Sequence, residues 1–330
     1  MPFELVPSGT HLDFIGKRRI AAALSALMIL ASLIAVPIRG LRLGIDFAGG
    51  NEMLVQFEPG VAVEEGAIRS AVASVEGIED PSVIRFGAVE DREFVIRFRG
   101  DGEAVAAAEP EPGAGATDAE EPASAPDASD PASDRFLQIE SALREQVGAL
   151  TVQRVEFVGP TVGEELQTDG LLSIFWASLA ILAYIAFRFS SRYAPGAVIA
   201  LIHDLTITAG VFVILGLEFD LSILAALLAI LGYSLNDTII IYDRIRENLE
   251  LHTKAQLPEI LNMSINQTLS RTLLTSGTTL IAVIVLFTLG GEVIRPFALA
   301  MLIGIVIGTY SSIYIAAPIV MWLEQRGAAR

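Results

Sequence analysis

The sequence contains no cysteine, which excludes a disulfide framework and any thiolate metal site. Its three histidines are scattered without metal-ligand spacing, so neither a metal nor a cofactor is expected. No glycine-rich phosphate loop, nucleophile elbow or zinc motif is present. Nothing in the chain therefore points to an enzyme, and no nucleic-acid partner is expected. Charge is scarce, at 18% against 52% hydrophobic residues. The net charge of -17 is mostly local, because the stretch Asp101 to Asp134 holds ten acidic residues and no Lys or Arg. Built of Ala, Glu, Pro, Asp, Ser and Gly, that stretch reads as a disordered insertion in a surface loop. Such insertions cost little entropy.

What the sequence has in abundance is long apolar runs, several near the roughly 20 residues a helix needs to cross a bilayer. Lys17-Arg18-Arg19 precede the first, Ile20 to Val36, which ends at Pro37. It is longer than a usual signal-peptide core and lacks a clean cleavage site, so it reads as a retained membrane helix. Further runs give spans near 170–188, 194–216, 221–242, 273–289 and 297–323, with a transmembrane first helix at 20–38. Between the fourth and fifth runs, 243–270 reads as a charged, cytoplasmic, amphipathic helix pair. Lys17, Arg18, Arg19, Arg188, Arg192, Arg244, Arg246, Lys254, Arg326 and Arg330 all fall on one side of this arrangement. The opposite short loops hold Glu218, Asp220, Glu292 and Arg295. The positive-inside rule then puts the N-terminus (1–19) and the tail (324–330) in the cytoplasm and residues 39–169 outside.

That outer insert opens with Gly44-Ile-Asp-Phe-Ala-Gly-Gly50, where Asp46, Gly49 and Gly50 mark a tight turn or a close backbone approach. Met53–Phe57, Ser82–Phe86, Glu93–Phe98 and Thr151–Val158 read as strands, the last with Val152, Val155 and Phe157 among its apolar positions. Val63–Val75 and Phe136–Val147 have helical spacing. The order β-α-β-β-α-β predicts a small ferredoxin-like α+β domain. Gly159-Pro-Thr-Val-Gly163 then breaks the pattern, and Glu164–Asp169 lead into the membrane. The fold class is a multi-pass α-helical membrane protein of six transmembrane helices, with 170–323 forming a five-helix bundle and 39–169 the external domain.

The chain is organised around Ala225 to Arg271, which carries Asn236 and Asp237 inside an apolar run and Arg271 at the mouth of the next. Charged side chains at membrane depth are costly and mark function by default. Burial favours the neutral carboxyl and a neighbouring guanidinium the ionised one, so moving the two together or apart would release or take up a proton. One charge crossing the field is worth about 2.3 kcal/mol per 100 mV, enough to bias a conformational equilibrium. Asp237, Arg271, Asp204 and Asn236 are the ion-coupling candidates. The alternatives are a helix-helix hydrogen bond for Asp237, a snorkelling side chain for Arg271, and a local pair with His203 for Asp204. Gly210, Gly216, Gly232, Ser234, Gly277, Gly304 and Gly308 are small residues of the kind that permit close helix packing, with Gly304 and Gly308 in GxxxG spacing.

Gly44–Gly50, Gly159–Gly163, His203-Asp204, Glu218-Phe-Asp-Leu221, Gly232-Tyr-Ser-Leu-Asn-Asp-Thr238, Asp243-Arg-Ile-Arg-Glu-Asn248 and Ser270-Arg-Thr272 occur in order along most of the chain. In combination they resemble the SecF family, the smaller subunits of bacterial SecD-SecF protein-export complexes. The resemblance implies an inner-membrane protein paired with SecD in a twelve-helix assembly of the resistance-nodulation-division type. It implies work with the SecYEG channel and SecA, in contact with membrane lipid. Unfolded preprotein would be drawn outward at the expense of a proton or sodium gradient after the ATP-driven stage. Asp237 and Arg271 match the family positions implicated in ion coupling. Two other readings stand beside it: a small-molecule efflux subunit of the same superfamily, for which the loop between the third and fourth helices is very short, and a non-transporting assembly scaffold.

Overall fold

The computed structural model describes residues 11–59, 61, 63–87, 90–100, 131–189 and 193–328. They divide into two compact units, Gly44–Gln167 and the remainder.

The smaller unit runs α2 (Ile45–Ala48), β1 (Gly50–Phe57), α3 (Glu65–Ala73), β2 (Ile78–Phe86), β3 (Glu93–Gly100), α4 (Pro131–Gln146) and β4 (Leu150–Val158). The strands form an antiparallel sheet in the order β2-β3-β1-β4. Period-two alternation sends Met53, Val55, Phe57, Phe94, Ile96 and Phe98 to one face, where they bury against Ile68 and Val72 of α3 and Ile139 and Leu143 of α4. A register shift at Leu54/Val55 inserts an extra residue into β4. That bulge explains why Val152, Val155 and Phe157 do not alternate strictly. Glu52, 5% exposed, is held by Arg97 at 2.7 Å and Arg154 at 3.0 Å. Removing either arginine would leave a buried carboxylate short of a partner. Residues 101–130 of the acidic insertion lie outside the described residues. Residues 131–134, assigned to the insertion from composition, are instead the opening of α4.

The larger unit contains six helices, or helix pairs, long and apolar enough to cross a membrane. They are α1 (Arg18–Arg39), α5 (Pro160–Arg188), α6 (Ala194–Leu215), α7 (Leu221–Leu251), α8 (Leu257–Leu289) and a composite sixth. That sixth is α9 (Gly291–Ser311), a π-helical turn (Ser312–Ala316) and α10 (Ala317–Ala328). Local chemistry sets the ends. Pro195 stands in the first turn of α6, and Gly216, at φ +69°, closes it with a left-handed cap. Asp220 Oδ1 accepts the Ile223 N–H at 2.9 Å to start α7. Gln256 and Glu259 form a reciprocal capping box at the start of α8.

Three boundaries differ from the sequence reading. Helix α5 begins at Pro160, so 164–169 are already helical; proline at the first helical position starts the helix rather than breaking it. The segment 243–270 is not a separate amphipathic pair. Its first part continues α7 to Leu251 and its last part opens α8, with only 252–256 between them. Pro258 is tolerated because it stands in the first turn of α8. Arg295, expected in a link, lies inside α9.

Burial separates inner from outer helices. Half of the apolar window is buried in α6, in α7 and in the sixth span, against 17% in α1 and α8 and 11% in α5. Phe187, Leu289 and Ile20 stand 95%, 81% and 75% exposed. Large apolar side chains turned outward are stable in lipid, where the hydrophobic effect does not penalise them.

Candidate functional site

Inside this mostly apolar bundle two carboxylates are buried, Asp204 at 1% and Asp237 at 3% exposure. Glycines let α9 approach them. A Cβ on Gly304 would stand 2.3 Å from Ile230, and one on Gly308 3.2 Å from the Ser234 Cα. Helix α9 thus lies close enough to α7 for short hydroxyl side chains to reach both carboxylates.

Both oxygens of Asp204 are engaged, while Thr208, one turn later on α6, keeps a buried hydroxyl without a partner among the described residues. His203 Nδ1 lies 2.8 Å from Asp204 Oδ1, and the other ring nitrogen lies 3.1 Å from Ser25 Oγ on α1. Ser234 of α7 and Ser311 of α9 donate to Asp204 Oδ2 at 2.5 and 2.7 Å. Three helices meet at this carboxylate, and α1 joins them through His203. The pairing with His203 was expected from adjacency; Ser25, Ser234 and Ser311 come from distant parts of the chain.

Asp237 is placed differently. Ser276 of α8 donates to its Oδ2 at 3.1 Å and Thr309 of α9 at 3.4 Å. These two hydroxyls also lie 2.9 Å from each other. Among the described residues, Oδ1 has no hydrogen-bond partner. Thr272, one turn before Ser276 on the same face of α8, is 1% exposed and its hydroxyl has no partner.

Arg271 does not form an ion pair with Asp237: among the described residues none within 4.0 Å includes either side chain. The cross-hairpin bonds give the reason. Asn248 donates to Ser264, Arg244 to Gln267 and Ser276 to Asp237, while Tyr233 bonds Thr279. In that register the residue opposite Arg271 is Ile241, one helical turn or about 6 Å beyond Asp237. Arg271 itself opens into a pocket of about 410 Å³. There Arg188 pairs with Asp243 at 3.4 Å and Arg244 with Glu247 at 2.6 Å.

Asn236 is not part of this arrangement. It is exposed on a different face of α7, as is Gly232, and a Cβ on Gly232 or Gly277 would meet nothing within 4 Å. These glycines do not bring helices of this chain together. Gly216 serves as a cap, whereas Gly210 is a contact point: its Cβ would stand 2.7 Å from the Ser32 Cα of α1.

In the smaller unit the sequence motif with Asp46 folds as α2, and its glycines follow with φ +68° at Gly49 and +134° at Gly50. A Cβ on Gly49 would stand 2.9 Å from the Pro160 Cα, and one on Gly163 would stand 3.0 Å from the Gly49 nitrogen. Two motifs far apart in sequence therefore meet backbone to backbone, which only glycine permits at both places.

The chain matches the family described as "Protein export membrane protein SecD/SecF, C-terminal" over residues 138–326, and the SecD/SecF GG motif over 34–61. It is 41% identical to the protein translocase subunit SecF of Desulfurispirillum indicum, over 96% of this chain and 93% of that one. The chain belongs to the SecF family. The SecF of Vibrio alginolyticus is 40% identical over 97% of this chain and 92% of its own. The crystal structure of SecDF, a translocon-associated membrane protein from Thermus thermophilus, superimposes with a TM-score of 0.80 at 34% identity. That comparison covers 98% of this chain but only 40% of the SecDF chain. This is thus a multi-pass membrane protein from a family of translocase subunits, not of enzymes. The GG-motif match contains the Gly49–Gly50 turn, and the C-terminal match contains Asp204, Asp237 and Arg271.

Proposed function

We propose that this chain is a subunit of the Sec protein-export machinery that uses an ion gradient to draw preprotein across the membrane after the ATP-driven stage. Its partners are SecD, in a heterodimer, and through it the SecYEG channel, SecA and the unfolded preprotein. It sits in the bacterial inner membrane with both termini in the cytoplasm and 39–169 on the external side. SecD is the partner best supported, because the solved SecDF chain contains a region like this one and extends well beyond it.

Asp237 is the coupling carboxylate in this reading. One observation carries it: a carboxylate buried among helices, with one oxygen bonded to two hydroxyls and the other to no described residue. A group so placed can gain or lose a proton or small cation without dismantling the packing around it. Arg271, one turn away and unpaired, responds to that change by charge. Asn236 has no role in this inner site; it is exposed on another face of α7.

The test is export of a reporter preprotein into vesicles carrying the partner subunits, with an imposed gradient switched on and off. Asp237→Asn should assemble normally and lose the gradient-dependent part of export, leaving the ATP-driven part. Wild-type export by that variant under the gradient would refute the coupling role.

A further inference from the structure

Between α1, α6 and the α10 end of the sixth span lies a crevice of about 630 Å³ that the coupling reading does not use. Its walls are apolar, with Ala26 and Ile29 from α1, Ile202 from α6 and Ile319 from α10. One end is not: Arg18 and Arg19 line it there, with Lys17 adjacent in sequence. On α10, Trp322 and Gln325 also line it. We propose that this crevice binds an anionic phospholipid, acyl chains along the walls and phosphate at Arg18 and Arg19.

Three features lead to this occupant. First, the charge is available. Arg18 spends one N–H on the Ile15 carbonyl at 2.9 Å, and Arg19, among the described residues, makes no hydrogen bond or ion pair. Asp13, the nearest acid in sequence, has its Oδ1 already bonded by the Gly16 N–H and Asn262. Three adjacent cations thus outweigh it, and a basic cleft between transmembrane helices is the arrangement that recognises acidic lipid headgroups. Second, Trp322 is half exposed in the wall of the same crevice, and an amphipathic indole is suited to headgroup level. Third, the walls beyond the basic end are mostly apolar side chains, which suit acyl chains and leave a headgroup only the basic end to bind.

Fluorescence of Trp322 reads the crevice directly. The chain has two tryptophans, so Trp176→Phe leaves Trp322 alone; Trp176 is exposed on α5, away from both sites. The full chain is placed in phosphatidylcholine nanodiscs containing a small, equal fraction of either brominated phosphatidylglycerol or brominated phosphatidylcholine. The phosphatidylglycerol should quench at least about fivefold more effectively per mole, the selectivity expected of one basic contact near the bilayer surface. Arg18→Gln with Arg19→Gln should abolish the preference. Arg19→Gln alone, at a side chain with no internal bond to lose, should reduce it. Ala26→Phe fills the apolar walls with both charges intact and should abolish the preference as well. Equal quenching by the two lipids overturns the proposal. So does a preference that survives Ala26→Phe, which would mean loose attraction to the helix end, or shielding of Trp322 from both lipids by a second copy of the chain.

Discussion

Asp204 and Asp237 are both buried on inner helices of one bundle, yet they are treated in opposite ways. Both Asp204 oxygens are engaged, by His203 on one side and by Ser234 and Ser311 at 2.5 and 2.7 Å on the other. Only one Asp237 oxygen is engaged, through longer bonds of 3.1 and 3.4 Å. A buried polar network with every member satisfied holds its helices in one arrangement. An incompletely satisfied one has a free position for a proton, a cation or a water. The same residue type is thus fully engaged in one place and half engaged in the other. The distinction lies in the number and placement of hydroxyls, not in depth.

The comparison predicts unequal costs of removal. Asp204→Ala removes the shared acceptor of His203, Ser234 and Ser311, of which Ser311 alone keeps a second one in the Gly308 carbonyl, and should lower unfolding stability by about 3 kcal/mol. Asp237→Ala loses two long bonds and should cost about 1 kcal/mol, since single side-chain bonds in membranes are worth about 0.6. Unfolding of the purified chain in mixed micelles measures both. Equal costs would break the contrast. The Asp204 network can also be disturbed from outside. Gly210→Ala drives a methyl into the Ser32 side chain, 2.1 Å from its Cβ, parting α1 from α6 and Ser25 from His203. Overpacking of this kind costs about 1–3 kcal/mol, and the loss should shrink when Ser32→Gly is added.

Much of this was legible beforehand and some could not be. Apolar run length reveals the six spans, because a bilayer imposes one length on every crossing. Period two reveals the strands. Asp204 and Asp237 stand out because charge in an apolar run is rare. What periodicity cannot supply is register between helices. Arg271 looks like a natural partner for Asp237 by depth, and only the cross-hairpin bonds place it opposite Ile241. The serines and threonines that complete or fail to complete each site carry no signal, since hydroxyls are common in membrane helices and most bond their own backbone. Thr278 and Thr288 do so. Asn236 misleads for a related reason: adjacency to Asp237 along a helix puts it about 100° around the axis, on a different face.

Thr272 sharpens the contrast with an effect of opposite sign. Its buried hydroxyl lacks a partner, and an unsatisfied buried hydroxyl costs stability. Thr272→Val, nearly the same shape, should leave the fold unchanged or stabilise it by about 1 kcal/mol. If gradient-driven export falls while stability rises, that hydroxyl belongs with the Asp237 site. If both stay at wild-type values, it is only an imperfection of packing.

The smallest effect comes from a third carboxylate, outside the spans. Asp13 Oδ1 accepts the Gly16 N–H at 2.7 Å and the Asn262 amide at 2.9 Å, an engaged oxygen comparable to those of Asp204 but in water. The Gly16 bond, then Asn262, then the charges of Lys17 and Arg18 hold its carboxyl below the ordinary value of 3.8. A lowered value in the folded state means its contribution is present above the unfolded value and is lost as pH falls through the folded one. Asp13→Asn keeps an acceptor oxygen and removes the charge. Wild type should therefore be slightly more stable than this variant at neutral pH, with the gap closing below the ordinary 3.8 and narrowing in high salt. A gap that persists in acid would mean that the bonds, rather than the charge, do the holding. Burial would then no longer be what separates Asp13 from Asp204.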